Sequence, residues 1–235
     1  MKVLTLLAGL LLSATTAFSC TDPTDFVTET RNVDKFDKIT VSAPVEVNIT
    51  CGQKQNLVIT SDDKSIAKVI TEVVNGELFI KVESHHARIS KKTKIDICVE
   101  SLNALRASGA CDVNIPQYTF CEDFELRVSG ASDVLIGNLE VKGMLNAQVS
   151  GASDLDIIFK AGKSVFQVSG ASDVDIDHIE AEEIEVTASG ASDVDIRGKV
   201  DNLIINASGA SEINLRHLIF NNREIYSSGA SDVDL

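Results

Sequence analysis

The sequence predicts an all-β chain: a right-handed parallel β-helix of about 20 residues per coil, with an N-terminal β-rich cap carrying one short helix. Three observations carry this. Ser-Gly-Ala-Ser-Asp-Val-Asp-Ile, at Ser169 to Ile176, recurs in seven copies with small changes, its glycines at Gly109, Gly130, Gly151, Gly170, Gly190, Gly209 and Gly229. The steps between those glycines are 21, 21, 19, 20, 19 and 20 residues, so one supersecondary unit stacks on copies of itself. Aromatics make up only 5% of the 235 residues and Trp is absent, so the core must come from Val, Ile, Leu and Ala, which suits thin layers of sheet better than a helical bundle. The hexapeptide pattern of left-handed solenoids is missing, and strand–crossover–strand chirality favours the right hand.

The chain opens on an export signal. Met1-Lys2 supplies a short positive region, and Val3 to Leu12 an apolar stretch too short to span a bilayer. Two processing sites compete. Ala14 to Ala17 resembles a site for ordinary signal peptidase, whereas Ala17-Phe18-Ser19-Cys20 resembles a loose bacterial lipobox in which Cys20 becomes the lipid-bearing first residue. Either one predicts export, to the periplasm or the outer-membrane surface. The boundaries that follow are 1–19 for the signal peptide, 20–31 for a polar linker, 32–107 for the N-terminal β-rich part and 108–235 for the repeats.

In the N-terminal part, Phe36, Ile39 and Val41, then Val45, Val47 and Ile49, alternate with polar residues and predict strands broken at Ala43-Pro44. Cys51 to Gln55 reads as a turn, and Asn56 to Thr60 as another strand. Ser61, Asp62 and Asp63 offer capping side chains to a predicted helix over Lys64 to Thr71, where Ile66, Val69 and Ile70 share a face. Asn75-Gly76 predicts a two-residue hairpin turn. His85, His86, Arg88, Lys91, Lys92 and Lys94 form a basic segment, which reads either as a solvated loop or as a contact for an anionic headgroup or sugar acid. Lys94 to Val99 alternates again.

Each repeat has three parts. A strand such as Phe166 to Val168 leads into the Ser-Gly-Ala-Ser corner, where glycine permits a positive φ and small neighbours let coils approach to about 4.8 Å. The Asp-Val-x-Ile strand then points Val113, Val134, Leu155, Val174, Val194, Ile213 and Val233 inward. Ile115, Ile136, Ile157, Ile176, Ile196, Leu215 and Leu235 form a second inward column, and a stretch of varying length returns the chain.

Stacking also makes columns of the outward residues. Asp112, Asp133, Asp154, Asp173, Asp193, Glu212 and Asp232 put an acid in every coil, and two residues on come Asn114, Leu135, Asp156, Asp175, Asp195, Asn214 and Asp234. Two compensations are open. In one, each acid accepts hydrogen bonds from the Ser hydroxyl or backbone N–H groups of its own corner. In the other, the acids bind calcium, for which the third to fifth coils, with acids at both positions, are the candidates: Asp154, Asp156, Asp173, Asp175, Asp193 and Asp195.

The pattern Asn32-Val33, Phe36, Ile39, Val41, then Val45, Val47, Ile49, Gly52, then Gly76, Leu78, Ile80, followed by Ser-Gly-Ala-Ser-Asp repeats, resembles the head GIN domain family. These are auto-transporter-adhesin-like proteins, common among exported proteins of the Bacteroidetes. The resemblance covers nearly all of the mature chain. It implies a right-handed parallel β-helix of mostly undefined function and supplies no catalytic motif to carry over. The chain departs from the expected pattern at its end, where Leu235 falls inside a copy.

Charge and cysteines narrow the function. The formal net charge is −14; residues 108–235 hold 22 acidic and 8 basic residues, against 13 and 12 in residues 20–107. The repeats therefore repel nucleic acid and anionic lipid and favour cations or basic partners, leaving a lipid anchor at Cys20 as the only membrane contact. Cys51, Cys98, Cys111 and Cys121 allow three disulfide pairings, yet Cys111 stands where the other copies have Ser and reads as a small packing residue. No Cys/His spacing predicts zinc, no Ser-His-Asp order or HExxH motif is present, and His178 and His217 read as surface residues. A ladder of near-identical carboxylates lacks the two distinct environments of an acid/base pair, so the chain reads as non-enzymatic. The expected function is that of an exported, envelope-anchored, adhesin-like binding protein for a glycan or envelope protein. The alternatives are a structural or self-assembling envelope spacer, homo-oligomeric through its exposed final coil, and, more remotely, a polysaccharide-active enzyme.

Overall fold

The computed structural model describes residues 26–84 and 88–235. The signal peptide, Cys20, most of the linker, and His85 and His86 of the basic segment lie outside the described residues. The rest is a β-solenoid whose strands are linked in one continuous sheet. Its coils are β8 (Ala104–Ser108) with β9 (Asp112–Ile115) and β10 (Tyr118–Cys121), β11 (Phe124–Val128) leading into β12 (Asp133–Val149), then β13 (Asp154–Val168), β14 (Asp173–Ala188), β15 (Asp193–Ala207), β16 (Glu212–Ser227) and β17 (Asp232–Asp234). Neighbouring coils pair in parallel and in register.

Each coil runs along three walls. The first precedes the Ser-Gly-Ala-Ser corner, the second follows it with Asp-Val-x-Ile, and the third is the return stretch, where β10 pairs with Leu139 to Val141 of β12. The unequal repeat lengths are absorbed mainly where the second wall turns into the third, by register shifts after Ile136, Ile158, Ile176 and Asp195, and between β12 and β13 also where the third turns into the first, after Val141. The corner itself stays regular. Gly170 has φ 90°, and an added Cβ there would lie 2.4 Å from the Gly151 carbonyl oxygen, so glycine is required both by conformation and by the glycine beneath it. The Ala171 N–H donates to that same carbonyl at 2.8 Å, carrying the ladder through the turn.

The solenoid begins earlier than the repeats, and out of chain order. β2 (Lys38–Ser42) and β3 (Glu46–Cys51) form a coil stacked directly under β8 and β9. β6 (Glu77–Val82) and β7 (Lys94–Val99) lie parallel beneath β2 and β3. β4 (Asn56–Ser61) then pairs antiparallel with β7, β1 (Val27–Thr30) with β4, and β5 (Val69–Val74) with β6. This antiparallel layer is the expected cap, and it covers a parallel edge that would otherwise offer unpaired backbone groups. The hairpin turn is as predicted, with φ 52° at Asn75 and 77° at Gly76.

The helix is shorter than expected. α1 spans Asp63–Ile66 only, one turn capped by Asp62, whose carboxylate accepts from the Ser65 N–H at 3.0 Å and the Ser65 hydroxyl at 2.7 Å. Val69, Ile70 and Thr71 belong to β5, because this β-branched run gains a full antiparallel ladder with β6 that a helix would forgo. Ile66 and Val69 are nevertheless both buried.

The core is a stack of thin aliphatic layers. Val113, Val134, Leu155, Val174, Val194 and Ile213 are all 3% exposed or less, and the second inward column is buried from Ile115 to Leu215. In the last coil Val233 and Ile225 are only half-buried and Leu235 is exposed. One layer holds two rings, Phe159 and Phe166, with centroids 5.6 Å apart; Ala161 and the buried Ser164 of the same coil offset their volume.

Candidate functional site: an acid ladder with a groove

The second wall places one acid from every coil in a single column. Asp112, Asp133, Asp154, Asp173, Asp193, Glu212 and Asp232 are mutual register partners, and Glu46 of β3 adds a further rung below Asp112. The sequence reading missed Glu46. The available signal was the match between Glu46-Val-Asn-Ile49 and Asp112-Val-Asn-Ile115. Beside it runs the second column, Asn48, Asn114, Leu135, Asp156, Asp175, Asp195, Asn214 and Asp234. The six candidate calcium residues thus form three adjacent rungs of two. Among the described residues, no three His, Cys, Asp or Glu converge as metal ligands would.

The corner serines do not serve the acids. The second Ser of each corner donates instead to the carbonyl of the first: Ser132 to Ser129 at 3.0 Å, Ser153 to Ser150, Ser172 to Ser169 and Ser192 to Ser189 at 3.1 Å. These hydroxyls are buried and face the core side of the corner, whereas the acids point outward from the following residue. The expected Ser–Asp hydrogen bond is therefore absent from these corners. The ladder keeps its repulsion, about 0.9 kcal/mol per pair of unit charges 4.8 Å apart in water and about 3.5 at an effective dielectric of 20. Partial burial, followed by the neighbouring Asp154, Asp177 and Asp133 charges, pushes the Asp156 carboxyl up. Asp175 is pushed up by burial and by Asp195 and Asp156, against the pull of Arg197.

The third wall handles the same problem differently. Glu140, Lys160, Glu180 and Lys199 alternate in sign in one register column, with Lys160 3.1 Å from Glu180; Lys163 and Glu183 pair at 2.6 Å nearby. On the second wall, cations appear only toward the ends. Lys94 meets Glu46 at 3.1 Å; Arg197 reaches Asp177 at 2.8 Å, Asp195 at 3.6 Å and Asp175 at 4.0 Å; Arg216 meets Asp234 at 2.7 Å. Among the described residues, no ion pair reaches Asp112, Asp133, Asp154, Asp156 or Asp173.

Over this uncompensated stretch lies a groove of about 320 Å³, lined by Asp112, Asn114, Asp133, Leu135, Asp154 and Asp156 among others. Leu135, in this lining, is 47% exposed. It also interrupts an amide ladder: Asn48 donates to Asp96 at 3.1 Å and Asn114 to Asn48 at 3.4 Å, but the next rung offers only Leu135, and the buried Asn114 Oδ1 has no donor.

The family described as "Putative auto-transporter adhesin, head GIN domain" matches residues 35–197 and, in a second overlapping alignment, 155–235. The chain belongs to the head GIN domain family. No curated protein matches the chain in sequence. Crystal structures share the fold: a "putative adhesin" from Bacteroides fragilis is 19% identical, with a TM-score of 0.67 over 90% of this chain and 98% of that one. A "putative adhesin" from Parabacteroides merdae is 16% identical, with 0.64 over 89% and 95%. A "putative lipid binding protein" from Parabacteroides distasonis is 18% identical, with 0.64 over 89% and 96%.

All four described cysteines are free. Cys111 sits buried at the base of the serine column, its thiol 3.6 Å from the Ser108 carbonyl and 3.5 Å from the Ser132 hydroxyl, and burial pushes its pKa up. His178 and His217 are exposed. The described part of the basic segment is spread out, with Lys94 on Glu46 and Lys92 5.9 Å from the Phe26 ring. A second hollow of about 690 Å³ holds Asp37, Asp123 and Glu125, each already taken: by Asn103 at 2.8 Å, by the Met144 N–H at 2.8 Å, and by Arg106 and Arg127. No described helix is long and apolar enough to cross a membrane.

Proposed function

We propose that this head GIN domain is an exported, non-catalytic, adhesin-like protein, held at the envelope through Cys20 and presenting its second wall to a glycan or protein of the envelope. The observation that carries this is the uncompensated column of acids on that wall. Repulsion that the third wall removes by alternating its charges is retained here, in register, over coil after coil. A β-solenoid spaces such groups at fixed intervals, which suits an extended or repetitive ligand. The adhesin-type family and the targeting sequence at Met1 to Cys20 support surface display.

Two measurements test it. Radiolabelled palmitate should enter the full-length protein expressed in a Bacteroidetes host and be lost in Cys20→Ser; soluble, unlabelled wild type would leave the signal-peptidase site as the true one. The secreted domain, immobilised and exposed to a glycan array and to envelope extract, should retain a ligand at low salt and release it at high salt. Failure to bind any envelope polymer, together with a mass that rises with concentration, would replace the adhesin reading with that of a self-assembling spacer.

A further inference from the structure

We propose that the groove over Leu135 docks an arginine- or lysine-rich peptide segment of a partner protein. The inference rests on the binding role proposed above and assigns it a site and a ligand chemistry.

The chain itself supplies the precedent. On later coils of the same wall, Arg197 lays its guanidinium among three carboxylates, Asp177, Asp175 and Asp195. The equivalent positions after the inward Ile in the earlier coils are Pro116, Gly137 and Ile158, none of which carries a cation. Asp156 is the early-coil equivalent of the Asp175 and Asp195 that Arg197 meets farther along, and no arginine among the described residues reaches it. Asp133, Asp154 and Asp156 bracket Leu135 on its own rung and the next. Long cationic side chains fit this combination: their methylene stems pack on an apolar side chain while the charged heads reach carboxylates, and an arginine fork can hold a carboxylate with two hydrogen bonds. Leu135 is the feature a purely repulsive or solubilising face would not need. The three following coils have Asp at that position, and within this column only Leu135 leaves a bulky aliphatic half in water. A neutral glycan would donate hydroxyl hydrogen bonds to these carboxylates but leave their charge uncompensated, and an anionic one would be repelled by them.

The test is fluorescence anisotropy with a labelled nona-arginine peptide, an uncharged nona-citrulline control and the exported domain at low ionic strength. Nona-arginine should bind and citrulline should not. The paired change Asp133→Asn with Asp154→Asn should weaken binding at least tenfold, and Leu135→Ser at least threefold. The pair Asp173→Asn with Asp193→Asn, in the same column but outside the groove lining, should alter it less than twofold. Both aspartate pairs relieve repulsion, so both variants should melt no lower than the parent, which separates lost binding from lost fold. Equal weakening by the two pairs, or full affinity in Leu135→Ser, would overturn the groove in favour of diffuse acidic attraction. If Asp133→Asn with Asp154→Asn abolishes peptide binding yet the domain still retains its envelope ligand, the groove is not the adhesive site and the inference fails while the proposed function stands.

Discussion

At Gly170 two requirements meet that are separable elsewhere in the chain. Its φ of 90° disfavours any side chain, and the Gly151 backbone, with its oxygen at 2.4 Å and nitrogen at 2.9 Å, occupies the space a Cβ would take. Gly109, at the bottom of the glycine column, has φ 96° but nothing nearer than the Ala43 nitrogen at 3.7 Å. Gly109→Ala should therefore cost only the backbone strain, about 1–2 kcal/mol. Gly170→Ala must also lift one coil off another and should cost about 3 kcal/mol or more. Urea midpoints of the two variants decide this, and equal losses would show that contact across the corner contributes nothing. A companion change should be almost silent. Cys111 already fills the place of a serine and makes that residue's contact with the Ser108 carbonyl, so Cys111→Ser should leave stability within about 1 kcal/mol of the parent. The corner glycine was legible from the motif, because Gly between small residues at a fixed period marks a tight turn that is repeated and closely stacked. The partner of the corner hydroxyl was not: a Ser one residue before an Asp suggests a local bond, and only the pleat shows that the two side chains leave on opposite sides of the wall.

Among the elements, the second and third walls are built from the same strands yet treat charge oppositely, and pH separates them. Burial and then neighbouring carboxylates raise the pKa of Asp156, as they do that of Asp175. A carboxyl whose folded pKa lies above its unfolded value binds its proton more tightly when folded. Its penalty is therefore absent below the unfolded pKa and sets in as pH rises through the folded pKa. Asp156→Asn with Asp175→Asn should thus stabilise the domain at pH 7, by about 0.5–1 kcal/mol given how exposed these groups are. The gap to the parent should close as pH falls below about 4. Denaturant midpoints across that range check it, and an advantage that persisted in acid would mean the amides gain something other than relief of charge. The first wall pulls the other way. Burial alone would raise Glu77, but hydrogen bonds from Thr40 and Arg106 outweigh it and hold its carboxyl low, so its contribution is present at neutral pH and lost in acid. The alternating column Glu140, Lys160, Glu180, Lys199 was open to view in the sequence but hidden by the variable spacing of the return stretch, since a shift of one residue at the bulges scrambles the register. The misassigned helix has a similar origin. Residues 66 to 70 carry a helical apolar spacing, and the β-branched run from Val69 is claimed by β6, a strand whose partner β2 lies far back in the chain.

For the whole molecule, the period near twenty was enough to predict stacking coils, because each coil's inward residues can be buried only by the next one. The period could not show that the stack starts at β6 and β7 and continues through β2 and β3. Those coils lack the Ser-Gly-Ala-Ser corner, and their order in space departs from their order in the chain. The consequence is a ladder one acid longer than the repeats, ending on Lys94. Such a column responds to salt as a line of charge. Raising sodium chloride from 0.01 to 1 M shortens the screening length from about 30 Å to about 3 Å and should raise the melting temperature. Divalent cations discriminate between screening and coordination. Since no three acidic side chains among the described residues converge on one point, calcium and magnesium at equal millimolar concentration should shift the melt alike. Calcium ordinarily takes six to eight oxygen ligands, whereas magnesium keeps most of its water, so a real calcium site among Asp154, Asp156, Asp173, Asp175, Asp193 and Asp195 would tell the two apart. A calcium-specific rise of several degrees, abolished by Asp175→Asn and absent with magnesium, would show that these three rungs close around a cation rather than wait for a cationic partner.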